Sequence, residues 1–236
     1  MEIIPVIDLK DGEVVHAQQG KRALYQPINT GLCSSSNIYK VIRAFLSLCD
    51  FNTLYIADLN AITLQGDHKH LINKVLSRFP EITFWIDTGY QQYDANLQRP
   101  GNYLPILGSE SYQDEDCQEI AAFGSNFILS LDFSIYGALG AQKLFANQEL
   151  WPENIIIMLL DRVGSNSGPD LNKLNDFCSR YPDKNFIAAG GIRNKQDLID
   201  LKEIGIKQAL VASALHSGDL SRADIHGLRQ KNTPAS

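Results

Sequence analysis

The stretch Glu2-Ile3-Ile4-Pro5-Val6-Ile7-Asp8-Leu9 decides the fold. It contains a short apolar run with β-branched residues, which is typical of a buried strand, and the predicted strand ends at Asp8. Further runs of this kind recur along the chain, and longer amphipathic stretches separate most of them. This pattern predicts parallel strands joined by helical crossovers. The eight predicted strands cover residues 3–8, 53–58, 83–87, 103–107, 127–132, 154–160, 185–189 and 208–212.

Six of the intervening stretches carry apolar residues at helical spacing. They cover residues 36–48, 69–79, 114–123, 142–150, 170–181 and 195–204. Asp114 and Asp170 stand at predicted helix starts, as caps or first-turn acids. Eight strand–helix units in 236 residues predict an α/β fold, a (β/α)₈ TIM barrel, with an open doubly wound sheet as the alternative.

Two internal similarities favour a closed barrel with a two-fold half-barrel repeat. Ile7-Asp8-Leu9 resembles Leu131-Asp132-Phe133, and a second set of positions matches at one constant spacing. The positions from the first half are Gly66, Arg78-Phe79-Pro80, Phe84 and Gly89. Their counterparts in the second half are Gly168, Arg180-Tyr181-Pro182, Phe186 and Gly191. The first half then holds an insertion at residues 13–33, which we interpret as a hairpin and active-site lid or, alternatively, as an ordinary surface insertion.

Composition and charge exclude several classes of protein. A 26.3 kDa chain with 44% hydrophobic residues predicts a single barrel domain over residues 1–230, with a flexible tail at 231–236. The net charge of −6 argues against a nucleic-acid partner, and the longest apolar run, 155–160, is too short to span a membrane. The four separated cysteines predict free thiols, and we expect a cytoplasmic protein.

Asp8 and Asp132 are the candidate catalytic residues. They close the first and fifth predicted strands, so in a barrel they face each other across the mouth where active sites lie. Paired carboxylates suit proton transfer, one taking a proton from carbon while the other protonates a departing oxygen. The alternative is that each aspartate caps nearby backbone amides.

The loops after strands six to eight are candidates for binding phosphate. Gly190 and Gly191 follow strand seven and Ser213 follows strand eight, where backbone amides and a helix N-terminus approach a ligand. A Gly-Gly pair also serves as a plain tight turn. The loop after strand six adds the candidates Gly164, Ser165 and Gly168.

A second, opposite anion site is conceivable at Gly108 and Ser109, after strand four. Its partner loop after strand three begins at Asp87, which adds negative charge where a phosphate would lie. The sequence therefore predicts one good phosphate site. His68 and His70 have no accompanying ligand pattern, so we expect no metal site.

Three motifs carry a family resemblance. The opening Glu2-Ile-Ile-Pro-Val-Ile-Asp-Leu-Lys-Asp-Gly-Glu-Val-Val15, Ser167-Gly-Pro-Asp-Leu171 and Ile187-Ala-Ala-Gly-Gly-Ile-Arg193 resemble the histidine-biosynthesis barrels. These are the phosphoribosylformimino aminoimidazole carboxamide ribotide isomerase and the cyclase subunit of imidazole glycerol phosphate synthase. The resemblance spans nearly the whole chain, and the Ile-Asp-Leu form is more similar to the isomerase.

The resemblance implies an Amadori aldose-to-ketose rearrangement with a phosphate held at each end of the substrate. Asp8 would be the general base and Asp132 the general acid. It also implies a small phosphorylated, phosphoribosyl-type substrate, and we expect no cofactor. The oligomeric state stays open.

The chain departs from the isomerase pattern at three loops. It reads Asp87-Thr88-Gly89-Tyr90-Gln91 where the isomerases carry Gly-Gly-Gly-Ile-Arg, and Arg162-Val163-Gly164-Ser165 where they carry Arg-Asp-Gly-Thr. After Asp132 it continues with Phe133-Ser134-Ile135-Tyr136 in place of a basic residue and a longer loop bearing a Trp. The pattern resembles an isomerase-related subgroup of methanogens and methylotrophs. The alternatives are a different, singly phosphorylated substrate, with C1-carrier cofactor synthesis as one setting, or a non-catalytic phosphometabolite-binding protein.

Overall fold

The computed structural model describes residues 1–94 and 100–230, and these form a closed (β/α)₈ barrel. The strands, in chain order, are β1 (Glu2–Lys10), β2 (Glu13–His16), β3 (Gln26–Pro27), β4 (Thr53–Asp58), β5 (Thr83–Asp87), β6 (Tyr103–Gly108), β7 (Ile128–Ser134), β8 (Gly137–Ala138), β9 (Asn154–Leu159), β10 (Asn185–Ala189) and β11 (Gln208–Val211). The barrel consists of β1, β4, β5, β6, β7, β9, β10 and β11, each parallel to the next. The pairing of β11 with β1 closes it, so the predicted closed barrel is confirmed over the open sheet.

The helices lie outside the strands. They are α1 (Ile38–Leu48), α2 (Leu59–Ile62), α3 (Lys69–Arg78), α4 (Cys117–Ala122), α5 (Lys143–Ala146), α6 (Leu171–Arg180), α7 (Lys195–Glu203), α8 (Ser213–Ser217) and α9 (Arg222–Gln230). Side-chain caps fix several starts: Asn37 accepts hydrogen bonds from two amides at the start of α1, and Asp170 accepts one from the amide of Lys173 in α6. The predicted cap at Asp170 is therefore confirmed.

Two predicted helices are shorter in the structure than in the sequence analysis. The stretch 142–150 is not one helix, because Asn147 adopts an extended backbone and its side chain accepts from the amide of Glu149, starting a separate 3-10 turn. Asp114 begins a 3-10 turn rather than a regular helix, and α4 starts at Cys117.

Successive side chains along each barrel strand point to opposite faces, so the protein has two hydrophobic cores. One lies between the barrel and its helices, and the other fills the barrel interior. In β1, Ile4 belongs to the interior while Ile3 and Ile7 pack outward, which directs Asp8 to the inner face. Trp85 also belongs to the interior, as the sequence predicts for a core residue.

The insertion after β1 forms a hairpin. β2 pairs antiparallel with β1, and the two-residue β3 pairs antiparallel with β2. The predicted hairpin is thus present, and its role as a lid stays a prediction.

The four cysteines are free thiols, as predicted. Within residues 1–94 and 100–230, no helix has both the length and the apolar character needed to cross a membrane. The predicted tail at 231–236 lies outside the described residues. The two-fold repeat stays a prediction.

Candidate active site

A cavity of about 510 Å³ opens at the carboxyl ends of the barrel strands. Asp8 from β1 and Asp132 from β7 both line it, and these strands lie four places apart around the barrel. The two carboxylates therefore approach one ligand space from opposite sides, as the sequence predicts. A cavity of this size accommodates a small-molecule substrate.

Asp132 is buried and firmly held. The Ser130 hydroxyl donates to its Oδ1 at 2.6 Å, while the Ser109 hydroxyl and the Glu110 amide donate to its Oδ2 at 3.2 and 3.0 Å. Ser109 Oγ also accepts from the amide of Asp132. These contacts fix the orientation of the carboxylate toward the cavity.

Asp87 at the end of β5 supplies a third buried carboxylate to the same cavity. The Tyr55 hydroxyl donates to its Oδ2 at 3.2 Å, and the Gly89 amide donates to its Oδ1 at 2.9 Å. Its negative charge is visible in the sequence, but the sequence pattern predicts no role for it in the site. Its position on the inner face of a strand could have been read from the alternation with the buried Trp85.

Gly108 explains how closely Asp87 and Asp132 approach. A Cβ atom at this glycine would lie 3.1 Å from Asp132 Oδ2 and 3.5 Å from Asp87 Oδ2. The two carboxylates are therefore close neighbours around one small residue on the intervening strand β6.

Arg22, in the segment between β2 and β3, reaches across the cavity mouth to Glu110. Both side chains are partly buried and both line the cavity. Lys10 Nζ supports the loop by donating to the Arg22 carbonyl at 3.0 Å. The hairpin insertion is thus fastened to the opposite wall by an ion pair that sequence inspection did not identify.

The carboxyl groups of the cavity have pKa values raised by burial. Burial raises the pKa of Asp8 to about 7, and the Arg22 guanidinium opposes the rise. Burial likewise raises the pKa of Asp87 to about 7, with the Gly89 amide opposing it. For Asp132 burial raises the pKa to about 7, and the negative charge of Glu110 adds to the rise. Carboxyl groups titrating near neutrality are suited to donating and accepting protons.

The opposite end of the cavity is lined by glycines. Gly191 has φ +83°, and a Cβ atom there would lie 2.3 Å from the Gly168 carbonyl oxygen, so only glycine fits this close approach of two loops. Gly190, Gly164 and Ser213 complete this wall. Ser213 begins α8, whose N-terminus has no side-chain cap.

Four predicted binding residues lie outside the cavity lining. Ser109 is buried and serves Asp132, and Gly108 lies beneath the two carboxylates. Ser165 forms hydrogen bonds within its own loop, and the Gly168 carbonyl accepts from Arg162 at 2.9 Å. These residues shape the site through their neighbours.

His16 and His216 also line the cavity, and the sequence analysis gave neither a role. Burial lowers the pKa of His216 to about 4, and His16 adds to this. His216 Nδ1 lies 3.3 Å from the Thr30 hydroxyl. Among the described residues, no three His, Cys, Asp or Glu side chains form a group that could hold a metal ion.

Fold and site together define a (β/α)₈ barrel with opposed carboxyl groups at its mouth. The chain belongs to the histidine biosynthesis protein family, whose profile matches residues 2–221. This membership confirms the resemblance seen in the sequence.

Individual relatives match over nearly the full length. An uncharacterized protein of Methanocaldococcus jannaschii is 27% identical, covering 95% of this chain and 97% of its own. The 1-(5-phosphoribosyl)-5-((5-phosphoribosylamino)methylideneamino) imidazole-4-carboxamide isomerase of Listeria innocua is 26% identical, covering 98% and 99%. The isomerase of the same name from Halothermothrix orenii is 27% identical, covering 93% and 96%. The family thus supports an enzyme of the isomerase type.

Proposed function

We propose that the protein catalyses an Amadori-type aldose-to-ketose rearrangement of a small phosphorylated, phosphoribosyl-type compound. The observation that carries this proposal is the opposition of Asp8 and Asp132 across one cavity, each with a pKa raised to about 7. The relatives named as isomerases support the reaction class.

The reaction needs one acid and one base. In an aminoaldose, Asp132 gives a proton to the ring oxygen as its bond to C1 breaks, and the nitrogen lone pair forms the C=N bond of the open chain. Asp8 then takes the proton from C2, the C–H electrons form the C1=C2 bond, and the nitrogen regains its lone pair. Loss of the C2 hydroxyl proton and protonation at C1 give the ketose.

The two aspartates have the same raised pKa of about 7, but they differ in their charged neighbours. Arg22 lowers the pKa of Asp8 relative to burial alone, which favours the carboxylate that a base requires. Glu110 and Asp87 are negative neighbours that raise the pKa of Asp132, while hydrogen bonds from Ser130 and the Glu110 amide lower it. At its pKa of about 7 the group holds, in part of the molecules, the proton that an acid requires.

The glycine-lined wall supports a phosphate on the substrate. Gly190, Gly191 and Ser213 are small, uncharged residues on this wall, and they leave room for a phosphate. This wall lies after β10 and β11, where barrels of this class commonly bind phosphate.

Solvent exchange tests the proposal directly. In deuterium oxide, rearrangement of an aminoaldose phosphate places deuterium on C1 of the product, which mass spectrometry detects. The probes are the bis-phosphoribosyl compound named for the relatives and singly phosphorylated glycosylamines. We expect Asp8→Asn and Asp132→Asn each to lower turnover by about 100-fold or more.

Asp183→Asn is the matched control, since Asp183 is an exposed carboxylate, and it should retain wild-type turnover. Phosphate binding without deuterium incorporation into any probe would overturn the proposal. That result would favour the alternative of a phosphometabolite-binding protein.

A further inference from the structure

The two ends of the cavity differ in charge. Beside Gly190, Gly191 and Ser213, the lining after β10 and β11 has one cation and one anion, Arg193 and Asp219. The lining at the ends of β5, β6 and β7 has three carboxyl groups, those of Asp87, Glu110 and Asp132. A ligand spanning the cavity therefore meets small residues and no net charge at one end, and three carboxyl groups at the other.

Asp87 cannot readily leave this wall. Its two oxygens are held separately, Oδ2 by the Tyr55 hydroxyl and Oδ1 by the Gly89 amide. At pH 8, above its raised pKa of about 7, Asp87 carries a negative charge that a phosphate beside it would meet, and Asp132 Oδ2 lies just across Gly108. Like charges at this range in a partly dry cavity repel strongly.

The two arginines that line the cavity offset this charge only in part, because each is paired with another carboxylate. Arg22 is paired with Glu110 across the mouth. Arg193, beside the glycine wall, forms two hydrogen bonds to the carboxylate of Asp197 at 2.9 and 2.8 Å. The acidic wall therefore suits groups that donate hydrogen bonds.

We propose that Asp87 determines specificity by excluding a second phosphate, so that the substrate carries one phosphate at the glycine wall and an amine or hydroxyl group at the Asp87 end. This inference rests on the proposed function, since it assumes that a phosphate binds at the glycine wall. It goes beyond that function by assigning the chemistry of the substrate's other end.

Calorimetric titration at pH 8 with matched probes tests the assignment. Inorganic phosphate and ribulose 5-phosphate probe the single site, and ribulose 1,5-bisphosphate adds a second phosphate to the same sugar. We expect the wild type to bind the monophosphate at least tenfold more tightly than the bisphosphate. Glucosamine 6-phosphate against glucose 6-phosphate then separates an amine from a hydroxyl at the acidic wall.

Two variants isolate the charge of Asp87. Asp87→Asn keeps a hydrogen-bond acceptor and nearly the same side-chain size but removes the charge. The ratio of the two binding affinities should therefore shift at least tenfold toward the bisphosphate. Tyr55→Phe removes a hydrogen bond that lowers the pKa of Asp87 but keeps the carboxyl group. At pH 9, where this group is ionised, its preference should stay within about threefold of the wild type. The wild-type ratio tests the idea even where a variant folds poorly.

The outcomes separate the two proposals. A bisphosphate that binds the wild type at least as tightly as the monophosphate would overturn the role of Asp87, and so would an unchanged preference in folded Asp87→Asn. If neither inorganic phosphate nor ribulose 5-phosphate binds, the phosphate site of the proposed function fails, and this inference fails with it.

Discussion

Replacing Asp8 with asparagine should stabilise the protein at alkaline pH. Burial raises the pKa of Asp8 from 3.8 to about 7, so the folded protein holds this proton more tightly than the unfolded chain does. The stability contributed by the protonated group is complete below pH 3.8 and is lost as the pH rises through about 7. Asparagine stays neutral at every pH and avoids this loss.

The size of the effect follows from the shift. About three pKa units at about 1.4 kcal/mol each set an upper limit of about 4 kcal/mol above pH 7. Water in the cavity reduces the cost of the charge, so we expect Asp8→Asn to gain about 2 to 3 kcal/mol at pH 8. At pH 4.5, where the folded wild type is protonated, the gain should fall to about 1 kcal/mol or less.

Urea denaturation at pH 4.5 and pH 8 measures this difference. The buried Trp85 and Trp151 provide the fluorescence signal, because unfolding exposes both indoles. The exposed-site control Asp183→Asn should stay within about 0.5 kcal/mol of wild type at both pH values. A gain for Asp8→Asn that is equal at the two pH values, or a loss confined to pH 8, would refute the argument from burial.

Three further results are expected. The dependence of kcat/KM on pH should be bell-shaped around neutrality. Glu110→Gln should move the alkaline limb of this profile to lower pH by about half a unit or more, because removing the charge of Glu110 lowers the pKa of Asp132. An alkaline limb that does not move would contradict this. Gly191→Ala should lower the free energy of unfolding by about 2 kcal/mol or more and weaken phosphate binding. Gly205 also has a positive φ but has open space around it, so Gly205→Ala should cost only about 1 to 2 kcal/mol and leave phosphate binding unchanged. Urea denaturation measures the stability and calorimetry measures the phosphate binding. Asn37→Ala should lower the free energy of unfolding by about 1 kcal/mol, because it removes the side-chain cap of α1. An unchanged free energy of unfolding would contradict a stabilising role for this cap.

The barrel could be predicted because strand and helix signals are local. The pattern of apolar residues that marks a strand can be read within a short run such as Glu2–Lys10. In any closed barrel, the aspartates near the ends of these strands lie at the mouth of the barrel. The failure at residues 142–150 has an equally local cause, since the apolar spacing continues while Asn147 interrupts the backbone. Such interruptions are set by one side chain and leave the pattern intact.

The rest of the site depends on distant pairs. Arg22 and Glu110 stand 88 residues apart, and neither position alone indicates an ion pair across the mouth. Asp87 was visible in the sequence, but its fixation by Tyr55 arises only when β4 and β5 align. Burial, which raises the carboxyl pKa values, is likewise a property of the assembled barrel.

The closure of β1 against β11 also constrains how the chain folds during synthesis. β1 is the first barrel strand to leave the ribosome, yet one of its two neighbours, Gln208–Val211, is the last. Until then one edge of β1 lacks its partner, exposing main-chain groups to other chains. The barrel therefore cannot close before β11 is made, and chaperone demand should concentrate on the interval before β11 emerges.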